Sequence, residues 1–262
     1  MAEQEYILSH TADAAERERL ELWAHIEDAR SQRHLAALGI QKGWQCLEVG
    51  AGHDSIVGWL AEQVGPRGRV VATDINPRFL TELQLPNVEV RRHDMRSDPL
   101  EAGRYDLAHC RAVLSHLPDP PRALRRMVAA VRMGGWVVIE DADFSSLCAV
   151  EATHPLAASS TRHLRELLER LTQAKLSDPY LGSRVRGLLE DAGLTEIDNE
   201  GVSRIARGGE TEASMLGMTL QALVGRGLLS AAAYSDLQQA LLDPRFSFIT
   251  LTTFAAWGKR AS

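Results

Sequence analysis

Cys46-Leu47-Glu48-Val49-Gly50-Ala51-Gly52-His53-Asp54-Ser55-Ile56-Val57 is the stretch whose reading decides the fold. An apolar run ends in an acid, glycines come after it, and a helix-like sequence comes next. Residues 45–49 read as a short buried strand. Ile56, Leu60 and Val64 recur at helical spacing, so a helix opens near Asp54 or Ser55. Asp54 itself reads as the helix N-cap. Glycines at the turn let backbone approach a ligand, and the helix start offers unpaired N–H groups.

The next run, Arg69-Val70-Val71-Ala72-Thr73-Asp74, closes on a second acid. A carboxylate at the end of the second strand is placed to accept hydrogen bonds from ribose hydroxyls. The dinucleotide fingerprint G-x-G-x-x-G would need a third glycine where Ser55 stands. Instead, Glu48 lies two residues ahead of Gly50, which points to a different nucleotide-like ligand.

The totals set bounds. The chain has 262 residues, 45% apolar and 24% charged, ordinary values for a globular protein with one α/β domain and additional helices. A net charge of -6 argues against general nucleic-acid binding. The three cysteines, Cys46, Cys110 and Cys148, have no metal-ligand spacing and form no disulfide framework; Cys46 reads as a small core hydrophobe. No secretory signal and no membrane-spanning apolar stretch is evident, so the expectation is a cytoplasmic protein with no membrane partner.

Read in order, residues 1–12 form a polar arm around Tyr6, Ile7 and Leu8, and a helix runs from Asp13 to about Leu38. Strands are expected at 44–49, 69–74, 88–92, 105–110 and 136–140. Helices are expected at 55–64, 77–83 and 123–131, and a short turn or helix at 111–117 is halted by Pro118-Asp119-Pro120-Pro121. Gly134-Gly135 reads as a turn. Strands alternating with helices imply a parallel sheet covered on both faces. Beyond it lie helices at 153–176, around 185–192, and two within 211–242, with strands at 195–205 and 246–257. The whole reads as a single domain, 1–262, comprising an arm and helix (1–39), a ligand-binding core (40–145), and lid helices with the last strands (146–262).

The motifs Leu47-Glu48-Val49-Gly50-Ala51-Gly52, Ala72-Thr73-Asp74, Val88-Glu89-Val90-Arg91-Arg92-His93-Asp94, Val113-Leu114-Ser115-His116-Leu117-Pro118-Asp119-Pro120 and Met133-Gly134-Gly135-Trp136 succeed one another in order. Together they resemble the class I S-adenosyl-L-methionine (SAM) methyltransferases of bacterial, small-molecule type, over roughly residues 40–145. The resemblance implies a doubly wound, Rossmann-like α/β fold with a seven-stranded, mostly parallel sheet, an N-terminal helix and helical lid insertions. It implies SAM as cofactor and S-adenosylhomocysteine as product. By the same resemblance Glu48, Gly50, Ala51 and Gly52 hold the methionine end, Asp74 the ribose and Ile75 the adenine face. Asp94 accepts from the adenine amino group, Met95 adds backbone and apolar contact, and Arg111 lines the methionine end, its backbone carbonyl being the group at hand. The family's third glycine is Asp54 here, a carboxylate that would repel the carboxylate of SAM if it pointed at it.

Methyl transfer to an oxygen of high pKa needs a base, and His116, just after the fourth strand, is the candidate. His109 reads as a core histidine, Asp141 and Asp143 as acids near the acceptor, and His154 and His163 as part of a solvated face. Met215, Met218, Leu223, Leu167 and Leu171 are candidates for a pocket lining or for plain core. No metal site is expected. The function expected is methylation, O-methylation favoured, of a small, fairly apolar acceptor, in a chain for which a homodimer is compatible. The alternatives are a SAM-fold cyclase or isomerase of natural-product biosynthesis, for which Asp54 is the sequence support, and a non-catalytic SAM-binding protein.

Overall fold

The structure, a computed structural model, describes residues 13–150 and 154–261; the arm with Tyr6 lies outside the described residues. In chain order the elements are α1 (Asp13–Ala37), β1 (Gln45–Val49), α2 (Ser55–Val64), β2 (Arg69–Asp74), β3 (Val88–Arg92), β4 (Tyr105–Arg111), α3 (Pro120–Ala130), β5 (Val131–Asp143), β6 (Cys148–Ala149), α4 (Ala157–Ala174), α5 (Val185–Asp191), β7 (Leu194–Val202), β8 (Ile205–Arg207), α6 (Thr211–Gly225), α7 (Ala231–Leu242), β9 (Ser247–Ile249) and β10 (Thr252–Arg260). They fall into two compact units: a larger one of residues 27–141, 181–201 and 254–261, and a smaller one of residues 13–26, 142–180 and 202–253.

The larger unit is built on a seven-stranded sheet of order β3-β2-β1-β4-β5-β10-β7. The pairs β3–β2, β2–β1, β1–β4 and β4–β5 are all parallel. The chain steps outward from β1 to β3, then returns to β4 on the other side of β1. That reversal opens a crevice at the carboxyl ends of β1 and β4, where doubly wound sheets bind ligands. One sheet face is sealed by Leu35 of α1 and by Ile56, Val57, Leu60 and Val64 of α2. The other face packs on Leu124 and Met127 of α3 and Val185 and Leu189 of α5. Central strands buried on both faces explain their near-continuous apolar runs.

Three local expectations are corrected. Residues 77–83 form isolated turns, Leu80 N–H to Pro77 O (2.9 Å) and Leu83 N–H to Leu80 O (3.1 Å), which do not propagate into a helix. Helix α3 begins at Pro120, earlier than expected, because the prolines occupy its first turn and Asp119 accepts from Arg122 N–H (3.0 Å) as its N-cap. The Gly134-Gly135 pair lies within β5; the register jumps there from Tyr105–Val131 to Leu107–Trp136, and Gly134 supplies the positive φ (74°) that this bulge needs.

The smaller unit has its own core, in which Leu164, Leu167, Leu168 and Leu171 of α4 pack with Leu216, Leu220 and Leu223 of α6 and Leu237 of α7. Leu167, Leu171 and Leu223, the candidate pocket residues, are core here, and Met215 is buried as well. A three-stranded sheet of order β6-β9-β8, antiparallel throughout, completes the unit. The expected strand at 195–205 is two strands: β7 joins the large sheet and β8 the small one. The expected strand at 246–257 divides in the same way into β9 and β10. Among the described residues no helix is long and apolar enough to cross a membrane.

Candidate functional site

Four loops form the crevice, at the carboxyl ends of β1, β2, β3 and β4. After β1 the chain turns through Gly50 (φ 65°) and Gly52 (φ 57°) before α2. A Cβ on Gly50 would collide with Cγ2 of Val113, so glycine is required there twice over, for its backbone angle and for that close approach. Ala51 N–H donates to Thr73 O (3.0 Å), which keys the turn to β2. Asp74, ending β2, completes the clamp: Oδ2 accepts from Gly52 N–H (2.9 Å) and Oδ1 from Asn76 N–H (2.7 Å). Ile75 comes next as an exposed apolar side chain (42% exposed), an unusual place for isoleucine unless something covers it.

After β3, Asp94 is engaged by its own neighbour. The Arg96 guanidinium donates to both carboxylate oxygens (2.8–3.0 Å) and holds the carboxyl below its usual range. Met95 is buried in the sheet core. The loop is held from α3 by Arg126, which donates to the carbonyls of Met95 (2.6 Å), Ser97 (2.8 Å) and Asp98 (2.6 Å).

After β4, Ala112 adopts a left-handed conformation (φ 54°), a strained choice for alanine that reverses the chain at the crevice. Val113 then seats on Gly50, and a 3-10 turn, Leu114–His116, carries half-buried His116. The turn is anchored by Ser115 N–H to Asp141 Oδ2 (3.1 Å). Asp141 is therefore a buried anchor; Asp143 is buried too and caps a 3-10 turn through Ser145 N–H (2.8 Å).

Asp54 departs from its expected role. It stands at the start of α2, but its side chain accepts no helix N–H, because its φ and ψ (−82°, −10°) are already helical and turn the carboxylate away from the first-turn amides. It lies instead 2.9 Å from His53 Nδ1. Replacing Asp54 by glycine is accordingly expected to change the unfolding free energy by no more than about 0.5 kcal/mol. Thermal denaturation showing a loss above about 1 kcal/mol would restore the capping role.

Beneath the crevice lies an array of charges that the sequence did not announce. Glu48 is not open to the crevice: it is 3% exposed, with Oε2 2.7 Å from Nδ1 of fully buried His109. His109 Nε2 lies 3.7 Å from Glu140 Oε2, an ion-pair distance longer than a hydrogen bond. Glu140 Oε1 meets His34 Nδ1 (3.0 Å), and its other oxygen accepts from the Ser31 hydroxyl. His34 Nε2 reaches Glu200 Oε2 (2.9 Å), which also pairs with Arg33. The Arg111 guanidinium donates to Ser31 Oγ and Asp28 Oδ1 of α1 (2.9 Å each). Burial disfavours the charged form of His109, but Glu48 and Glu140 outweigh it and raise its pKa to about 9. The same holds for His34, where Glu140 and Glu200 overcome burial and raise the value above 6.5. Burial would push Glu140 up, yet His109 and His34 hold it well below the carboxylate range.

The signal that could have revealed this array is the lone polar residue inside an apolar strand. Glu48 and His109 are register partners, Glu140 is the partner of Arg111, and all four side chains project from one sheet face. Asp28, Ser31 and His34 recur every three residues on α1, which reads as a solvated stripe unless the strands opposite are considered. In the smaller unit His154 is half-buried, with its side chain only 7% exposed and 3.3 Å from Asp243 Oδ2.

The crevice thus offers carboxylates after two strands, an exposed apolar side chain and a glycine turn, a combination suited to a cationic nucleoside. A family model described as a methyltransferase domain matches residues 6–198. Methyltransferase str2 of Strobilurus tenacellus is 35% identical over 149 residues, covering 55% of this chain and 50% of that protein. A ubiquinone biosynthesis O-methyltransferase of Bordetella avium is 28% identical over 180 residues, covering 64% of this chain and 70% of that protein. The chain thus spans only half the length of the first of these. Among solved structures, a Haemonchus contortus phosphoethanolamine N-methyltransferase 2, in complex with phosphomonomethylethanolamine and S-adenosylhomocysteine, superposes with a TM-score of 0.63 over 100% of this chain and 61% of its own. At 13% identity that likeness is one of fold. With the family model covering most of the chain, this chain belongs to the methyltransferase domain family.

Proposed function

We propose that the chain methylates an oxygen of a small, fairly apolar molecule, with His116 taking the acceptor's proton. The observation that carries this reading is the seating of Val113 on Gly50. It ties the turn bearing His116 to the glycine turn, so a base and a cofactor site share one rigid support. The O-methyltransferase relative supports oxygen as the acceptor atom.

In this reading Gly50, Ala51 and Gly52 border the methionine end of SAM, with Glu48 acting from beneath the turn and Arg111 contributing through its backbone. Asp74 accepts from the ribose hydroxyls, Ile75 covers the adenine face, and Met95 adds apolar contact. Asp94 accepts from the adenine amino group while sharing its carboxylate with Arg96. SAM, when bound, supplies an activated methyl group on a sulfonium. The protein's part is to position the acceptor oxygen and remove its proton.

Incubating the protein with SAM and a panel of small phenols and other hydroxylated acceptors tests the reaction. A product heavier by one methylene, formed together with S-adenosylhomocysteine, is expected. An isomerised product without S-adenosylhomocysteine would replace methyl transfer by cyclase chemistry. For the cofactor, Asp74→Ala removes the acceptor of Gly52 N–H along with the ribose acceptor. SAM binding is expected to weaken by about 1–3 kcal/mol. Calorimetry showing unchanged affinity would remove Asp74 from the site.

A further inference from the structure

Carboxylate and imidazole alternate from the glycine turn to the surface: Glu48, His109, Glu140, His34, Glu200. The array begins one residue before the end of β1 and ends on β7 at Glu200, which is partly exposed. Three further hydrogen bonds bind it laterally, Ser31 to Glu140, Arg111 to Ser31 and Arg111 to Asp28. Residues 28–34 of α1 are therefore held to β4, β5 and β7 by charge and hydrogen bonds as well as by apolar contact. Counting the groups shows why one imidazole is indispensable. Four carboxylates (Asp28, Glu48, Glu140, Glu200) face Arg33, Arg111, His34 and His109, so the set balances only with both imidazoles protonated. His109 is the only one of these cations placed against Glu48, and nothing else among the described residues joins Glu48 to Glu140.

We propose that His109 is a positioning residue for the cofactor: it fixes the Glu48 carboxylate beneath the glycine turn and, through Glu140, ties that turn to residues 28–34 of α1. The proposal rests on the reading that the glycine turn holds SAM. His109 is faced by Glu48 from β1 and Glu140 from β5; Glu140 is faced in turn by His34 and Ser31 from α1 and is drawn on by the Arg111 charge from β4. The raised pKa of His109 fits a link that is charged at neutral pH rather than a neutral core histidine. A merely structural histidine would be indifferent to what occupies the crevice; a positioning one is not.

The test uses the wild-type chain with 15N-labelled histidine, titrated with S-adenosylhomocysteine while the His109 ring nitrogens are tracked by NMR. The ring is expected to stay doubly protonated past pH 8 and to shift on saturation with the ligand. Calorimetry on His109→Gln, which keeps a hydrogen bond but not the charge, should show binding weakened roughly tenfold or more. The double variant Glu48→Gln/His109→Gln should bind no more weakly than the poorer of the two single variants, because the pair acts as one. Binding by the wild type with an unmoved His109, or a His109 that loses its proton near 6.5, overturns this proposal and leaves the cofactor reading standing. No binding by the wild type overturns both. The wild-type titration decides the matter even where His109→Gln fails to fold.

Discussion

His109→Leu is expected to lower the unfolding free energy by about 3–5 kcal/mol at neutral pH, because it strips the shared cation from two buried carboxylates. Glu48 and Glu140 are 3% and 2% exposed, so water cannot replace the lost charge. A second route gives the same size: raising an imidazole pKa from 6.5 to about 9 corresponds to about 3 kcal/mol. The pH dependence has a definite sign. A raised imidazole pKa means the folded state holds its proton more tightly, so this contribution is complete below about 6.5 and fades as pH rises through about 9. Glu140, whose pKa is depressed, contributes in the opposite sense, and its share is lost only in acid. Urea denaturation of both proteins from pH 6 to 9 should therefore show the gap between them narrowing toward the alkaline end. A gap under about 1 kcal/mol at pH 6.5 would mean that the array carries little net stability, as some buried ion pairs do.

The second large effect concerns turnover. His116→Ala is expected to slow methyl transfer by about 10²–10⁴-fold, the usual loss for a positioned general base. SAM affinity should change little, since the glycine turn, Asp74 and the 95–98 loop are held by bonds that do not involve this side chain. His116→Asn should behave like the alanine variant, because it restores hydrogen bonding without a proton acceptor near neutral pH. Steady-state rates and calorimetry on the same preparations separate the two roles. Full activity in His116→Asn would make His116 structural and place the base elsewhere.

Features set by short-range pattern were legible in the sequence. The bounds of β2, β3 and α2 come directly from alternation, glycine punctuation and helical spacing. Whatever depends on a distant partner was hidden. Ser203 and Arg204 break what looks like one strand, yet only the pairing of β7 with β10 and of β8 with β9 reveals two. At the crevice the sequence marked Glu48 by its position in the motif, whereas its environment is decided by His109 on β4, 61 residues away. Arg111 was marked as a crevice residue by its position after the fourth strand; Asp28 and Ser31 hold its guanidinium on α1, which leaves its backbone as the part available to the crevice. A motif specifies where backbone goes; the direction of a long charged side chain depends on which counter-charges the fold brings near.

The insertion of β10 between β5 and β7 has a consequence for the order in which the chain matures. Strands β2 to β5 can pair as soon as they are synthesised, each beside a strand already made. β7 cannot: its neighbour in the sheet is β10, which is made some fifty residues later. During vectorial synthesis β7 waits as an unpaired segment while residues 202–253 of the smaller unit are made. Glu200 travels with it, so the charged array gains its surface end among the last events of folding, and His34 spends the interval with one carboxylate instead of two.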